Sequence, residues 1–461
     1  MGYGLMADGK GNGMGRSFRL VRIALAALVF LVLLAAFSGV SALAARVPQL
    51  EFAPALLRCA AAFSLGALAV VLVTIFLTWA FGRFYCAFLC PLGIVQDLAG
   101  WLSRRKSAAQ PDLLLVRRLV AGAALGMLAG GTALPFLLLD PYSNFGRGVA
   151  VRAVWSGAIP LVLVVLLAVW RKRFFCAALC PVGALLGIFS RYGLFKVRFT
   201  EKCVKCGLCV KSCPSGCIDL RAGRIDNERC VRCMNCLAAC RLGGVTFSAK
   251  RCGGSTASSE AGPDRSRREF LIRGGVLAAG FVAGSAAARF GIPPAAERLL
   301  AGAKKLILPP GAGNIGRFAM KCTACQLCTA NCPTGIIVPA PGGDGPVRLD
   351  LARGACKYGC SKCSAICPTG AIKPLTLEEK RRTKIAEASF DPKLCLACHG
   401  DDPCGKCADA CPAGAIKPRG PRRVPRLDKS LCIGCGACQA ACPATPVKAM
   451  KVVGVEEQSR I

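Results

Sequence analysis

The sequence predicts a multidomain protein: an α-helical membrane domain with four to five transmembrane helices that carries small, cysteine-rich α+β modules. Three observations lead there. Of 461 residues, 54% are hydrophobic, more than a soluble chain of this length needs. The apolar residues gather in long runs separated by basic loops. Finally, 32 cysteines accompany a single histidine, and they fall at metal-ligand spacings rather than in the pattern of a secreted disulfide scaffold. The formal charge of +35 would suit a nucleic-acid binder. Many of those basic residues flank apolar runs, however, and metal-bound thiolates would add uncounted negative charge, so no nucleic-acid partner is expected.

Four apolar segments, roughly Ile23–Leu43, Ala60–Trp79, Leu119–Leu139 and Val154–Trp170, each approach the ~20 residues of a spanning helix. Arg16, Arg19 and Arg22 precede the first; Arg83, Arg104, Arg105, Lys106, Arg117 and Arg118 lie between the second and third; Arg171, Lys172 and Arg173 follow the fourth. The remaining loops are poorer in positive charge, so the N-terminus and both of those basic regions are expected to face the cytoplasm. The expected membrane domain is 1–196.

Its two halves repeat. RFYCAFLCPLG, Arg83 to Gly93, returns as RFFCAALCPVG, Arg173 to Gly183. Residues four apart share a helix face, so Cys86 can point with Cys90, and Cys176 with Cys180, with Pro91 and Pro181 ending the turn. A four-thiol redox site at the cytoplasmic membrane face is the functional reading; packing cysteines at a repeated helix end are the plain alternative. Cys59 reads as packing.

Residues 197–252 hold CVKCGLCVKSCP and CVRCMNCLAAC. Cys203, Cys206, Cys209 and Cys213 have the spacing C-x2-C-x2-C-x3-C-P, and Cys230, Cys233, Cys236 and Cys240 repeat it without the proline. Three closely spaced thiolates fit three corners of a 4Fe-4S cube and the fourth serves the partner cluster. This assigns Cys203, Cys206, Cys209 and Cys240 to one cluster and Cys230, Cys233, Cys236 and Cys213 to the other. Zinc sites use paired rather than tripled cysteines. Cys217 and Cys252 are left over, with no role required. The module follows the fourth segment and is expected in the cytoplasm.

A polar linker then leads to RSRREFLIRGGVLAAGFVAGSAAA. Arg267 and Arg268, an apolar stretch and the small residues Ala286, Ala287 and Ala288 resemble a twin-arginine export signal; the alternative is an ordinary fifth span. Both place the rest of the chain outside the cytoplasm. They differ on cleavage after Ala288, which the sequence leaves open. This region is taken as 253–310.

Four more motifs fill 311–461. Cys322, Cys325, Cys328 and Cys332 have the standard spacing, as do Cys432, Cys435, Cys438 and Cys442; Cys356, Cys360, Cys363 and Cys367 widen the first gap by one. The remaining motif has five cysteines, Cys395, Cys398, Cys404, Cys407 and Cys411, so 17 thiols face sixteen ligand positions and the spare is Cys395 or Cys398. Whether ligands are shared between adjacent or nested motifs is not readable. Cys395, Cys398 and His399 also spell a haem attachment pattern. Haem is disfavoured because it would leave Cys404, Cys407 and Cys411 one ligand short; His399 reads as a loop residue able to tune a cluster. Six 4Fe-4S clusters in ferredoxin-like α+β modules are expected in all.

The first ~250 residues, with two Cys-x-x-x-Cys-Pro motifs and a two-cluster module, resemble the NapH (MauN) family. Residues from about Arg265 onward are similar to the NapG (MauM) family, so the chain looks like a fusion of the two. The resemblance implies a bacterial inner-membrane, multi-pass quinol dehydrogenase. It would draw on the membrane quinone pool and feed a periplasmic reductase or cytochrome. Cluster sites separated by a ~30 Å hydrocarbon core need a bridge, and Cys86, Cys90, Cys176 and Cys180 are candidates, as redox thiols or as ligands of a further centre. Quinol also needs a proton acceptor: Asp140, beside Tyr142, and Glu51 in the equivalent loop of the first half could serve from the membrane edge. Two other readings are an accessory factor for maturation or maintenance of a periplasmic metalloenzyme, and electron flow inward to quinone.

Overall fold

The computed structural model describes residues 10–41, 44–62, 64–103, 113–133, 136, 139–150, 155–249, 263–291, 306–339, 346–399 and 403–461. Arg104, Arg105, Lys106 and Cys252 lie outside the described residues, as do the side chains of Arg265 and Arg267. The chain forms two compact units, one centred on Leu50–Gly148 and Ala158–Ala288, the other on Arg289–Ile461 together with Ala35–Gln49.

The first unit is helical. It comprises α1 (Lys10–Ser38), α2 (Phe52–Ala62), α3 (Leu65–Phe81), α4 (Tyr85–Phe88), α5 (Pro91–Leu102), α6 (Leu114–Ala129), α7 (Pro141–Val149), α8 (Trp155–Arg171), α9 (Phe174–Ala178) and α10 (Pro181–Arg191). Then come a small α+β module with α11 (Leu208–Ser212) and α12 (Asn235–Ala239), and α13 (Pro263–Ala286). Among the described residues two stretches are long and apolar enough to cross a bilayer, Gly15–Ser38 and Phe270–Phe290. The other expected segments give shorter helices, 17 residues in α3, 16 in α6 and 17 in α8. The third expected segment stops early because Gly130 caps α6 and Gly131 turns the chain at φ +88°.

The α13 helix lies against α6 backbone to backbone. A Cβ on Gly122 or Gly126 would run into the carbonyls of Leu277 or Phe281, and one on Gly284 into that of Ala123. Ser285 adds a 3.2 Å hydrogen bond to the Gly126 carbonyl. Small residues four apart on both helices permit this approach, as in bilayer helix pairs.

The α+β module pairs β1 (Lys196–Phe199) with β4 (Val245–Ser248), and β2 (Ile218–Asp219) with β3 (Arg224–Ile225), all antiparallel. It is pinned to the helices by charge: Glu228 meets Arg118 at 3.0 Å and Arg117 and Arg191 at 3.8 Å. Buried Arg232 donates to the carbonyls of Phe81 and Phe195, 3.2 Å each, across Gly82, where any side chain would collide with it.

The second unit is built from antiparallel pairs: β5 (Ile337–Val338) with β6 (Arg348–Leu349), β8 (Ile416–Arg419) with β9 (Val424–Leu427), and the longer β7 (Thr383–Phe390) with β10 (Met450–Arg460). Gln458 of β10 reaches the start of the module, accepting from Gly311 and Gly313 and donating to Leu308 and Pro309. Gln49 donates to Ala365 at 2.8 Å and Asn331 to Ala36 at 2.9 Å, tying Ala35–Gln49 to two cysteine-bearing loops.

Candidate redox centres

The cysteine motifs share one backbone solution. In five of six, the residue after the second cysteine, or after Cys404 in the five-cysteine motif, is left-handed: Gly207, Met234, Gln326, Gly405 and Gly436. In four, the residue before that cysteine is too: Lys205, Arg232, Ala324 and Gly434. Such turns curl successive N–H groups inward into a concavity suited to an anion. In Cys356-Cys360-Cys363 the extra residue relaxes the loop, and Ser361 has φ −124°.

Five cysteine-lined cavities result among the described residues. Each is lined by three cysteines of one motif and the last of another. Cys230, Cys233 and Cys236 combine with Cys213; Cys322, Cys325 and Cys328 with Cys367; Cys356, Cys360 and Cys363 with Cys332. Cys432, Cys435 and Cys438 combine with Cys411, and Cys395, Cys404 and Cys407 with Cys442. Each cavity therefore draws its cysteines from two adjacent motifs. Cys398 lies outside its cavity, and His399 ends the four-residue helix Leu396–His399, exposed, rather than sitting in a loop. In the first module Cys203 and Cys240 meet at Gly244, whose N–H donates to the Cys240 sulfur at 3.1 Å and whose Cβ position is 2.9 Å from the Cys203 Cα. Cys206 is exposed and Cys209 buried. Among the described residues no three Cys, His, Asp or Glu side chains are drawn in tightly enough for a single metal ion. Four thiols, three from one motif and one from the next, are the donor set that a cube of iron and sulfide takes.

Adjacent pairs also join in series. The Cys356 N–H donates to the Cys435 carbonyl at 2.8 Å, bringing the two middle cavities of the second unit together. Buried Lys380 lies beside them, donating to the Lys357 and Tyr358 carbonyls at 2.8 and 3.2 Å.

Cys217 has a place after all. It lines the Cys230 cavity, buried, with its sulfur 3.5 Å from that of Cys213. Hydrogen bonding with Cys217 is the main cause that lowers Cys213 and Cys230 from the ordinary cysteine value. The signal was in the repeats: C-P-S-G-C217 stands where the second unit has Ile336, Ala371 and Ala415.

The membrane repeat converges. Cys86, Cys90, Cys176 and Cys180 are all buried in one cluster of side chains that also contains Cys233. The expected helix ending at proline is corrected: Cys86 and Cys176 lie on the short helices α4 and α9, whereas Cys90 and Cys180 are the extended N-caps of α5 and α10, whose first residues are Pro91 and Pro181. Proline starts these helices because its missing N–H is unneeded there. The motif arginines cross over: Arg83 donates to the Cys176 carbonyl at 3.0 Å and Arg173 to that of Cys86 at 2.8 Å. The motif glycines leave the room, since a Cβ on Gly93 would strike the Cys86 carbonyl and one on Gly183 the Arg83 guanidinium. Arg173 also holds Asp97 through two bonds of 2.6 and 2.7 Å, and Gln96 donates to the Cys176 sulfur at 3.1 Å. Toward the α+β module, Arg83 donates to the Glu228 carbonyl at 3.2 Å and the Arg173 N–H to that of Pro214 at 3.3 Å.

Asp140 and Glu51 are not solvated loop carboxylates. Asp140 is 1% exposed and caps α7, accepting from the Ser143 N–H and hydroxyl at 2.8 and 2.9 Å. Glu51, just before α2, is 4% exposed and accepts from the Tyr85 hydroxyl. Tyr142 is buried beside Asp140.

Comparison with known proteins adds to this geometry. A family described as "4Fe-4S binding domain" matches residues 63–109 and 153–200, the helices and Cys-x-x-x-Cys-Pro motifs of both halves. Families described as "4Fe-4S dicluster domain" match 195–241, 321–372 and 402–445. The chain carries several 4Fe-4S domains and resembles iron-sulfur electron-transfer proteins. The methylamine utilization ferredoxin-type protein MauN of Paracoccus denitrificans is 35% identical over 150 residues, 31% of this chain and 52% of that protein. The ferredoxin-type protein NapH of Escherichia coli is 35% identical over 171 residues, 34% of this chain and 56% of its own. The putative electron transport protein YccM of Escherichia coli is 29% identical over 150 residues, 28% and 41% of the two chains. The chain thus spans about half the length of the curated relatives it matches. No solved structure matches it.

Proposed function

We propose that this chain is a membrane quinol dehydrogenase of the NapH–NapG kind. It oxidises quinol at the membrane thiol site and delivers electrons to a periplasmic reductase or cytochrome. The observation that carries the reading is the packing of Cys86, Cys90, Cys176 and Cys180 in one core with Cys233, a ligand of the nearest cluster cavity. Six 4Fe-4S clusters, when bound, store and pass single electrons. The chain's own part is to hold their ligands and to set their surroundings. Arg83 and Arg173 fix the two cysteine pairs against each other and against the Pro214 and Glu228 loops, so thiol site and module form one rigid block. The four thiols act either as redox thiols or as ligands of a further iron-sulfur centre, which the family description over these residues favours.

In this reading α1, α3, α6, α8 and α13 span the membrane, the first module is cytoplasmic and the second periplasmic. The test is anaerobic mixing of iron-replete protein with menaquinol while cluster absorbance is followed. Bleaching in the wild type, lost when all four cysteines are serine while the module keeps its iron, supports the assignment. Protein that dithionite reduces but neither menaquinol nor ubiquinol does would shift weight to an accessory role in maturing a metalloenzyme.

A further inference from the structure

The two copies of the membrane repeat differ in one polar group. Where the second has Phe175 the first has Tyr85, buried and 1% exposed, immediately before Cys86. Its hydroxyl is spent on Glu51, which is buried just before α2. Both lie within electrostatic reach of Asp140, and Tyr85 within reach of Cys90. The Oδ1 atom of Asp140 has no hydrogen-bond partner among the described residues although it is buried. A buried carboxylate is costly and persists where it is used. Asp140 has a structural reason to exist, as a helix cap. Glu51 has no such bond: its partner is a tyrosine that the other copy of the repeat does without.

We propose that Tyr85 and Glu51 form the proton-transfer arm of the membrane thiol site, with Asp140 as the next acceptor along it. This rests on the quinol reading above. Oxidation of one quinol to quinone releases two electrons and two protons; the electrons go singly to an oxidised iron-sulfur acceptor. For each proton, the Tyr85 hydroxyl takes the proton of the quinol hydroxyl as it gives its own to the Glu51 carboxylate, and the phenol is unchanged at the end. Glu51 then passes the proton to Asp140 Oδ1, freeing it for the second. Tyr85 is the group that would touch the substrate, and Glu51 acts through it.

The test uses full-length, iron-replete protein in lipid nanodiscs and two readouts. The first is the rate of menaquinol-driven cluster bleaching for wild type, Tyr85→Phe, Glu51→Gln and Glu51→Asp, with iron content and dithionite reduction as controls. General-base contributions are worth ~100-fold or more, so Tyr85→Phe and Glu51→Gln should each slow quinol oxidation at least about tenfold. The solvent deuterium effect should change, dithionite-reducible iron should stay intact, and Glu51→Asp should restore part of the rate. Because Tyr85→Phe leaves the buried Glu51 carboxyl without its hydroxyl partner, iron content and dithionite reduction are the controls that separate misfolding from a lost proton path. The second readout is the infrared difference spectrum on electrochemical reduction, which needs no quinol: a carboxyl signal present in wild type and absent in Glu51→Gln marks proton uptake by Glu51. Unchanged quinol rates in Tyr85→Phe and Glu51→Gln, or no Glu51-dependent infrared signal, would overturn the proposal. A wild type inert to quinol but showing that signal would remove the quinol reading and leave the proton arm standing.

Discussion

Cys217 brings a fifth sulfur to a cavity lined by four motif cysteines, 3.5 Å from that of Cys213; in the proposed reading those four are the cluster ligands and the Cys217 thiol is a hydrogen-bond donor beside them. Hydrogen bonds to ligand sulfur stabilise the more negative, reduced cluster and so raise its potential. Cys217→Ala should therefore retain all iron and lower one midpoint potential by about 20–60 mV, for a bond worth ~0.5–1.5 kcal/mol. A redox titration followed by electron paramagnetic resonance would read this directly; a lost cluster would instead make Cys217 a ligand. Cys395 and Cys398 give a sharper contrast. Only Cys395 lines a cavity, so Cys395→Ala should lower the iron content by one cluster and Cys398→Ala should leave it unchanged. Spacing alone made the ligand triplets legible because each triplet wraps one cavity within a dozen residues. It could not rank Cys395 above Cys398, since that choice is made by Pro425 of β9, the distant Cys442 and the start of β10, which close the cavity from elsewhere in the chain.

Among the elements, the paired helices α6 and α13 are held by shape rather than by charge. The glycines where they touch, Gly122, Gly126, Gly280 and Gly284, admit no side chain, so Gly126→Leu should cost about 1–3 kcal/mol through overpacking, seen as a lower melting temperature of the detergent-solubilised protein. Gly274→Ala, on the same α13 but with open space around its Cβ position, should leave the melting temperature unchanged or slightly higher. Equal effects from the two would mean that the helices are not packed in this way. Apolar runs marked where helices occur, and the repeat marked where the thiols lie. What hydropathy missed was punctuation. Gly130 and Gly131 break the third run, and each Cys-Pro starts a helix instead of ending one, because an extended cysteine in the cap position is followed by a residue that needs no hydrogen-bond partner. The crossed arginines were equally hidden: both copies show the same Arg and Gly, but only the three-dimensional pairing makes each serve the other copy.

At the scale of the whole molecule the open matter is whether the chain stays in one piece. The twin-arginine-like segment would be cut after Ala288 if it were processed as a leader, and a peptidase needs an extended, accessible backbone at that bond. Ala288 is instead 2% exposed, in the helical turn Ala287–Gly291 that continues α13, and a Cβ on Gly130 would collide with its side chain. The helix that would have to leave is the one whose glycines interlock with α6. We therefore expect a single 48.1 kDa polypeptide in the membrane fraction, detected through a C-terminal tag and resistant to extraction by alkaline carbonate. If the second unit is periplasmic as proposed, replacing Arg267 and Arg268 by lysine tests its route: loss of periplasmic labelling of that unit would mark the twin-arginine route, and retained labelling an ordinary fifth span. In either case the tag should stay with the full-length band. A shorter, carbonate-extractable fragment beginning after Ala288 would show that the packing against α6 gives way before the peptidase acts, and would return the two halves to separate chains.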